Sequence, residues 1–175
     1  MLRAILILVA LTLVPALELR ASIPLGFFSM HDELAWPVVF LVCAIANILL
    51  GWIVFALLGP AFGILRRWPW FERHIWPRLE KTRHRLHPYV EKYGELGVAV
   101  FIGVPLPGSG VYSGALGSYL LGLDRRKFAL ANVLGVLIAA VAVTGLCLLV
   151  QHGVVGPDSW MVRLFLKLRQ APAGA

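Results

Sequence analysis

Three stretches of the chain, residues 34–65, 96–123 and 128–157, run for 32, 28 and 30 positions without a single Asp, Glu, Lys or Arg. Soluble domains spread their charge, with about a quarter of residues ionised, whereas here only 14% are charged and the mean hydropathy is +0.82. Crossing a hydrocarbon core of about 30 Å takes roughly 20 helical residues. The chain is therefore read as an all-α integral membrane protein, and a water-soluble enzyme is excluded as the starting assumption. Cys43 and Cys147 both fall in apolar sequence, which suits packing residues better than a disulfide or a thiolate metal site.

Residues 34–65 and 128–150 are long enough to span as single helices. The other two apolar regions are interrupted: residues 4–17 are followed by Glu18, Arg20 and Pro24, and residues 96–123 are broken at Pro105-Leu106-Pro107-Gly108-Ser109-Gly110. Each leaves arms of roughly 9 to 14 residues, too short to cross. A short arm, a Pro/Gly break and a second short arm describe a re-entrant hairpin. Its broken backbone must be buried in protein or line a wet cavity, because unpaired N–H and C=O groups in hydrocarbon cost several kcal/mol each. One kinked helix or two tilted spans per region remain the alternatives, and for residues 1–20 a signal peptide is another.

The chain also repeats itself. Ile23-Pro24-Leu25-Gly26 is answered by Val104-Pro105-Leu106-Pro107-Gly108, and Ala44-Ile45-Ala46-Asn47-Ile48-Leu49 by Ala129-Leu130-Ala131-Asn132-Val133-Leu134, in the same order. A hairpin crosses zero times and the helix once, so a second copy of such a unit is inverted. Inverted repeats with discontinuous helices are a transporter architecture. The expected organisation is a first repeat at 1–65, a basic connector at 66–95, a second repeat at 96–153 and an amphipathic tail at 154–175.

Net charge is +7, but eight of the sixteen Lys and Arg lie in the connector and three more are Arg125, Arg126 and Lys127. Membrane topology explains this better than nucleic acid, and by the positive-inside rule the connector face is cytoplasmic. Trp68, Trp70, Phe71, Ile75 and Trp76 read as an aromatic belt. Leu79, Leu86, Val90 and Tyr93 recur at helical spacing among basic residues, which describes an amphipathic helix lying on the headgroups or a solvated linker. His74, His84 and His87 show no ligand spacing, and neither metal nor cofactor is expected.

Glu18 and Arg20 are bracketed by apolar sequence. An ionisable group in a membrane is costly and marks a functional site by default. Arg presents a planar fork suited to phosphate or carboxylate, and a desolvated Glu can carry a proton near neutrality. Arg20 is thus the candidate for binding an anionic group and Glu18 for proton coupling; the bland alternative is a pair that ends the first helix. Gly108, Ser109 and Gly110 offer backbone N–H groups for an anion, with Ser109, Tyr112 and Ser113 as hydroxyl donors. Pro24, Pro105 and Pro107 shape the breaks. Gly110 and Gly114, like Gly59 and Gly63, have the spacing of close helix packing. Asn47 and Asn132 are buried amides expected to bond each other or the hairpin backbone.

The segments Glu18-Leu19-Arg20-Ala21-Ser22-Ile23-Pro24-Leu25-Gly26 and Val104-Pro105-Leu106-Pro107-Gly108-Ser109-Gly110 resemble the putative small multidrug export protein family, over about residues 10–150. That family is similar, more distantly, to the DedA and VTT membrane proteins. The resemblance implies the two-hairpin inverted-repeat fold, residence in a bacterial inner membrane and a transport role. For DedA relatives it implies a lipid cargo, notably a polyprenyl phosphate. This chain departs from the DedA pattern in carrying no charge between Leu96 and Leu123.

The resulting expectation is a small membrane transporter: a proton-coupled translocase of an anionic lipid, or an exporter of small molecules. The rival is a structural or assembly subunit of a larger membrane complex. Membrane lipids and a second copy of the chain are the expected partners. An intramembrane hydrolase would need Ser109 as nucleophile and His152 as base, without a G-x-S-x-G elbow, and no enzyme is expected.

Overall fold

The computed structural model describes residues 1–15, 17–74, 76–77, 94–104 and 109–156. Among these the regular structure is α-helical, with no strand: α1 (Leu2–Thr12), α2 (Glu18–Ser29), α3 (Trp36–Leu65), α4 (Pro69–His74), α5 (Gly94–Gly103), α6 (Val111–Leu121) and α7 (Arg125–Gln151). α3 and α7 are the two helices long and apolar enough to cross a membrane. At 1.5 Å per residue the 10 to 12 residues of α1, α2, α5 and α6 reach roughly half of a 30 Å hydrocarbon core.

The long helices are inside-out by the standards of a soluble protein. α7 buries Ala131, Asn132, Val136, Ala139, Ala140, Val143 and Thr144 while Leu130, Leu134, Ile138 and Val141 stand exposed. α3 likewise exposes Leu41, Ile45, Leu49, Trp52, Ile53 and Leu57 and buries Cys43, Ala44, Ala46 and Asn47. The two helices also bury Val39, Leu50, Phe55, Phe128 and Leu146, so the inward face mixes small, polar and large residues, but an outward face made of large aliphatic residues is what hydrocarbon selects. Lipid is as apolar as leucine, so helices associate through close packing and hydrogen bonds rather than by hiding their leucines.

The chain divides into two compact units. The first takes in α1, α2, α3 up to Asn47 and α7 from Leu137. Here α1 and α2 pack against each other. A Cβ on Gly26 would stand 2.5 Å from Val39 Cγ1 and 3.2 Å from Leu8 Cδ1, so the missing side chain lets α2 touch both α1 and the start of α3. The Met1 ammonium sits 3.3 Å from Glu33 Oε2.

The second unit takes in α3 from Ile48, α4, α5, α6 and α7 up to Val136. Ile102 of α5 is its centre: a Cβ on Gly114 of α6 would lie 2.5 Å from Ile102 Cγ1, and one on Gly135 of α7 would lie 2.7 Å from Ile102 Cβ and 2.8 Å from the Ala99 carbonyl oxygen. Phe55 stacks on Phe128 with centroids 4.3 Å apart, and Phe62 stacks on Tyr119 at 5.3 Å. At the end of α3, Arg66 pairs with Glu72 at 2.9 Å and covers the Trp76 ring at 4.4 Å.

Several details differ from what the sequence suggested. The first break falls before Glu18, not between Glu18 and Pro24: α1 ends at Thr12, and α2 runs from Glu18 through Pro24 to Ser29. Pro15 supplies the reason, since a proline pushes the preceding residue, Val14, out of the helical region. Inside α2, Pro24 only deletes the bond its missing N–H would have given to the Arg20 carbonyl. The second interruption lies where expected, with α5 ending at Gly103 and α6 starting at Val111. Gly114 is a close-packing glycine, whereas Gly63 has open space before it and Gly59 meets only Tyr119 Oη, at 3.9 Å.

The order arm, arm, long helix does recur, as 11, 12 and 30 residues and again as 10, 11 and 27. The motif register does not follow it: Pro24 is inside α2 whereas Pro105 comes after α5 has ended, and Asn47 is the twelfth residue of α3 whereas Asn132 is the eighth of α7. Of the connector, Trp68 and Trp70 are exposed and Phe71 is buried. The proposed helix through Leu79, Leu86, Val90 and Tyr93, with His84 and His87, lies outside the described residues, as does the tail beyond Gly156.

Candidate functional site

α2 is buried on nearly every side, and this lets it hold charge: Glu18, Leu19, Arg20, Ser22, Ile23, Pro24, Gly26 and Phe27 are all buried. Glu18 is 7% and Arg20 6% exposed. Two ionisable side chains two positions apart would diverge by about 200° on a regular helix. Glu18, however, opens α2 with φ +43°, a left-handed conformation that costs an L-residue roughly 1–2 kcal/mol. The two buried ionisable side chains therefore share the first turn of α2, close enough for the Glu18 carboxylate to act electrostatically on the Arg20 guanidinium. Strain of this kind persists only where the surroundings over-determine it, and it clusters at functional sites.

Two buried hydroxyls lie in the same unit. Ser22 Oγ donates to the Glu18 carbonyl oxygen at 2.9 Å, and Thr12 Oγ1 donates to the Leu8 carbonyl at 2.8 Å. Both side chains are fully buried, and both lie against the Cys43 thiol of α3. Ser22 and Thr12 were not singled out as functional residues in the sequence, and Cys43 was read only as a packing residue. The usable signal for Ser22 was its place four residues after Glu18, one helical turn along the same face. Cys43 and Cys147 are free and buried.

The second unit holds the other candidate residues. Ser109 Oγ donates to the Val104 carbonyl at 2.6 Å and Ser113 Oγ to the Gly110 carbonyl at 3.3 Å. Gly110 precedes α6 with φ +150°, a conformation that glycine alone adopts freely. Tyr112 and Ser113 are half-buried in the first turn of α6. Pro105, Pro107 and Gly108 lie outside the described residues.

The two asparagines are buried, Asn47 in the first unit and Asn132 in the second. Asn132 Nδ2 donates to the Ile48 carbonyl of α3 at 3.0 Å, so its partner is helix backbone rather than hairpin backbone. The Oδ1 atoms of Asn47 and Asn132, together with Ser118 Oγ and Thr144 Oγ1, have no hydrogen-bond partner among the described residues. No group of three His, Cys, Asp or Glu that would hold a metal ion occurs among the described residues.

Two long helices with lipid-facing aliphatic surfaces, short paired arms and a buried charged pair define an integral membrane protein with an ionisable site inside its apolar region. The chain belongs to the family described as Putative small multi-drug export protein, whose model matches residues 18–142. That match begins at Glu18 and ends within α7, so it covers α2 through most of α7 and leaves α1 outside. No curated protein and no solved structure matches the chain.

Proposed function

We propose that the protein is a proton-coupled membrane transporter that moves an amphiphile with an anionic group, a lipid phosphate or a small molecule, with Arg20 binding the anion and Glu18 carrying the proton. The observation that carries this reading is the pair itself: two ionisable side chains, each more than nine-tenths buried, at a strained helix start in apolar surroundings. Burying such charges is expensive, and a purely structural helix end needs neither.

The finer architecture is part of the same proposal. α1–α2 and α5–α6 act as re-entrant hairpins in two inverted repeats, with the connector on the cytoplasmic face of a bacterial inner membrane. The ion pair between Lys127 at the start of α7 and Glu95 at the start of α5, 3.6 Å long, supports the second hairpin, because α6 ends only a few residues before α7 begins. Met1 and Glu33 make the corresponding contact in the first.

Reconstituted proteoliposomes with an imposed pH gradient test the proposal, using a fluorescent phosphatidic acid as the anionic probe and ethidium as the cationic one. Gradient-driven movement of the anionic probe is expected, weakened in Arg20→Lys because a point charge replaces the bidentate fork. In Glu18→Gln binding should persist and the response to the gradient should vanish. Gradient-driven ethidium export without movement of the anionic probe overturns the substrate assignment, and unchanged gradient-driven flux in Glu18→Gln overturns the role of Glu18.

A further inference from the structure

Away from the charged pair, the second unit contains a half-open cleft of about 200 Å³ lined by Trp52, Phe55, Ala56, Arg125, Phe128 and Ala129. The stacked rings of Phe55 and Phe128 form its floor, and Arg125 is its one charged residue. Lys127 is engaged by Glu95, but the exposed Arg125 makes no ion pair among the described residues.

We infer that this cleft is a binding site for an anionic phospholipid of the surrounding bilayer, with part of one acyl chain on the aromatic floor and the phosphate on Arg125. Three observations select that occupant. The volume is below the roughly 300–1,000 Å³ that encloses a drug-sized ligand, so the cleft takes a chain segment rather than a whole compound. The lining is almost wholly apolar, with Arg125 contributing its stem, so the exposed guanidinium, whose fork matches phosphate, can engage a headgroup at the edge rather than inside. Its depth is that of a headgroup boundary: Arg125, Arg126 and Lys127 are consecutive cations that open α7 immediately ahead of the uncharged run 128–157, as expected where a span leaves the hydrocarbon. Arg125 therefore sits where a lipid phosphate sits, with apolar wall on its membrane side. The site is independent of the transport reading.

Native mass spectrometry of the purified protein, titrated with phosphatidylglycerol or phosphatidylcholine, tests the site. Wild type should retain phosphatidylglycerol preferentially, and Arg125→Gln should lose about fivefold or more in that preference, the weight of one basic residue toward an anionic lipid surface. Ala56→Leu and Ala129→Phe keep every charge and fill the cleft, and both should lower retention too. Ala56 is exposed, so Ala56→Leu carries the test if the larger change at Ala129 prevents folding. Equal losses in Arg125→Gln and Arg126→Gln, with none in Ala56→Leu, would reveal only diffuse attraction and overturn the site. Equal retention of the two lipids by wild type would overturn it as well.

Discussion

Lys127 Nζ lies 3.6 Å from Glu95 Oε1, which ties the first turn of α7 to the first turn of α5. α6 ends at Leu121, only a few residues before α7 begins at Arg125, so the start of α5 and the end of α6 both lie near the start of α7. Both side chains are about half exposed, and such a pair contributes little energy, around 0–1 kcal/mol. Its value is as a marker of where two helix ends meet.

Topology follows from that marker. Single cysteines at Glu95 and Asp124, in a chain with Cys43 and Cys147 replaced by Ala, should be labelled by an impermeant maleimide from the same side of sealed vesicles. Labelling from opposite sides would mean that residues 96–123 cross the membrane.

Close packing at Gly135 should be among the least forgiving features of α7. A Cβ there meets both Ile102 and the Ala99 carbonyl oxygen, and backbone cannot rotate away, so Gly135→Ala should cost about 1–3 kcal/mol by overpacking. Gly145 on the same helix has nothing within 4 Å, and Gly145→Ala should be neutral or gain roughly 0.5–1 kcal/mol from helix propensity. Thermal melts in detergent compare the two, and equal effects would show that the contact with α5 is not tight.

Asn132 and Gly51 should be energetically coupled. The Asn132 side chain fills the space that a Gly51 Cβ would enter, 2.5 Å from both of its terminal atoms, while its Nδ2 holds the Ile48 carbonyl. Asn132→Ala should cost about 0.6–1.7 kcal/mol, the range for hydrogen bonds between membrane helices. In a Gly51→Ala background the same change should cost less or become favourable, since it relieves the clash. A double-mutant cycle measures this, and additive effects would contradict the packing.

Backbone strain at Glu18 separates cleanly from its charge. Glu18→Gly and Glu18→Ala both remove the carboxylate, but only glycine accepts φ +43° without penalty, so the glycine variant should be the more stable by about 1–2 kcal/mol. Neither should couple flux to a pH gradient. Equal melting temperatures would mean that α2 does not begin in a left-handed conformation.

Acid should loosen the Arg66–Glu72 contact only at low pH. Hydrogen bonds from the Arg66 guanidinium hold the Glu72 carboxyl below its ordinary value of 4.5. A carboxylate depressed in the folded state contributes stability that is complete above its unfolded pKa and lost as pH falls through the lower folded one. The stacking of Arg66 on Trp76, followed through tryptophan fluorescence, should hold down to about pH 4.5 and change below it. Glu72→Gln should abolish that step.

The sequence by itself determined the class of protein and its coarse organisation. Uncharged runs of about thirty residues leave no other solvent than hydrocarbon, because a soluble surface needs charge, and α3 and α7 lie where those runs predicted. Pro and Gly at 105–110 likewise announced an interrupted helix, since neither continues one at low cost. Glu18 and Arg20 stood out for the same reason, as charge where charge is expensive. Tertiary structure decided the rest. Pro15 and Pro24 are both prolines within apolar sequence, yet α1 ends ahead of one while α2 carries the other inside it, a difference that residue type alone does not record. Ser22, Thr12 and Cys43 became one buried cluster, and Trp52, Phe55, Arg125 and Phe128 one cleft, only through helices distant in sequence. Which glycines bear contact, Gly51, Gly114 and Gly135 rather than Gly59 and Gly63, is set by where a neighbour's side chain arrives, and no local spacing records that.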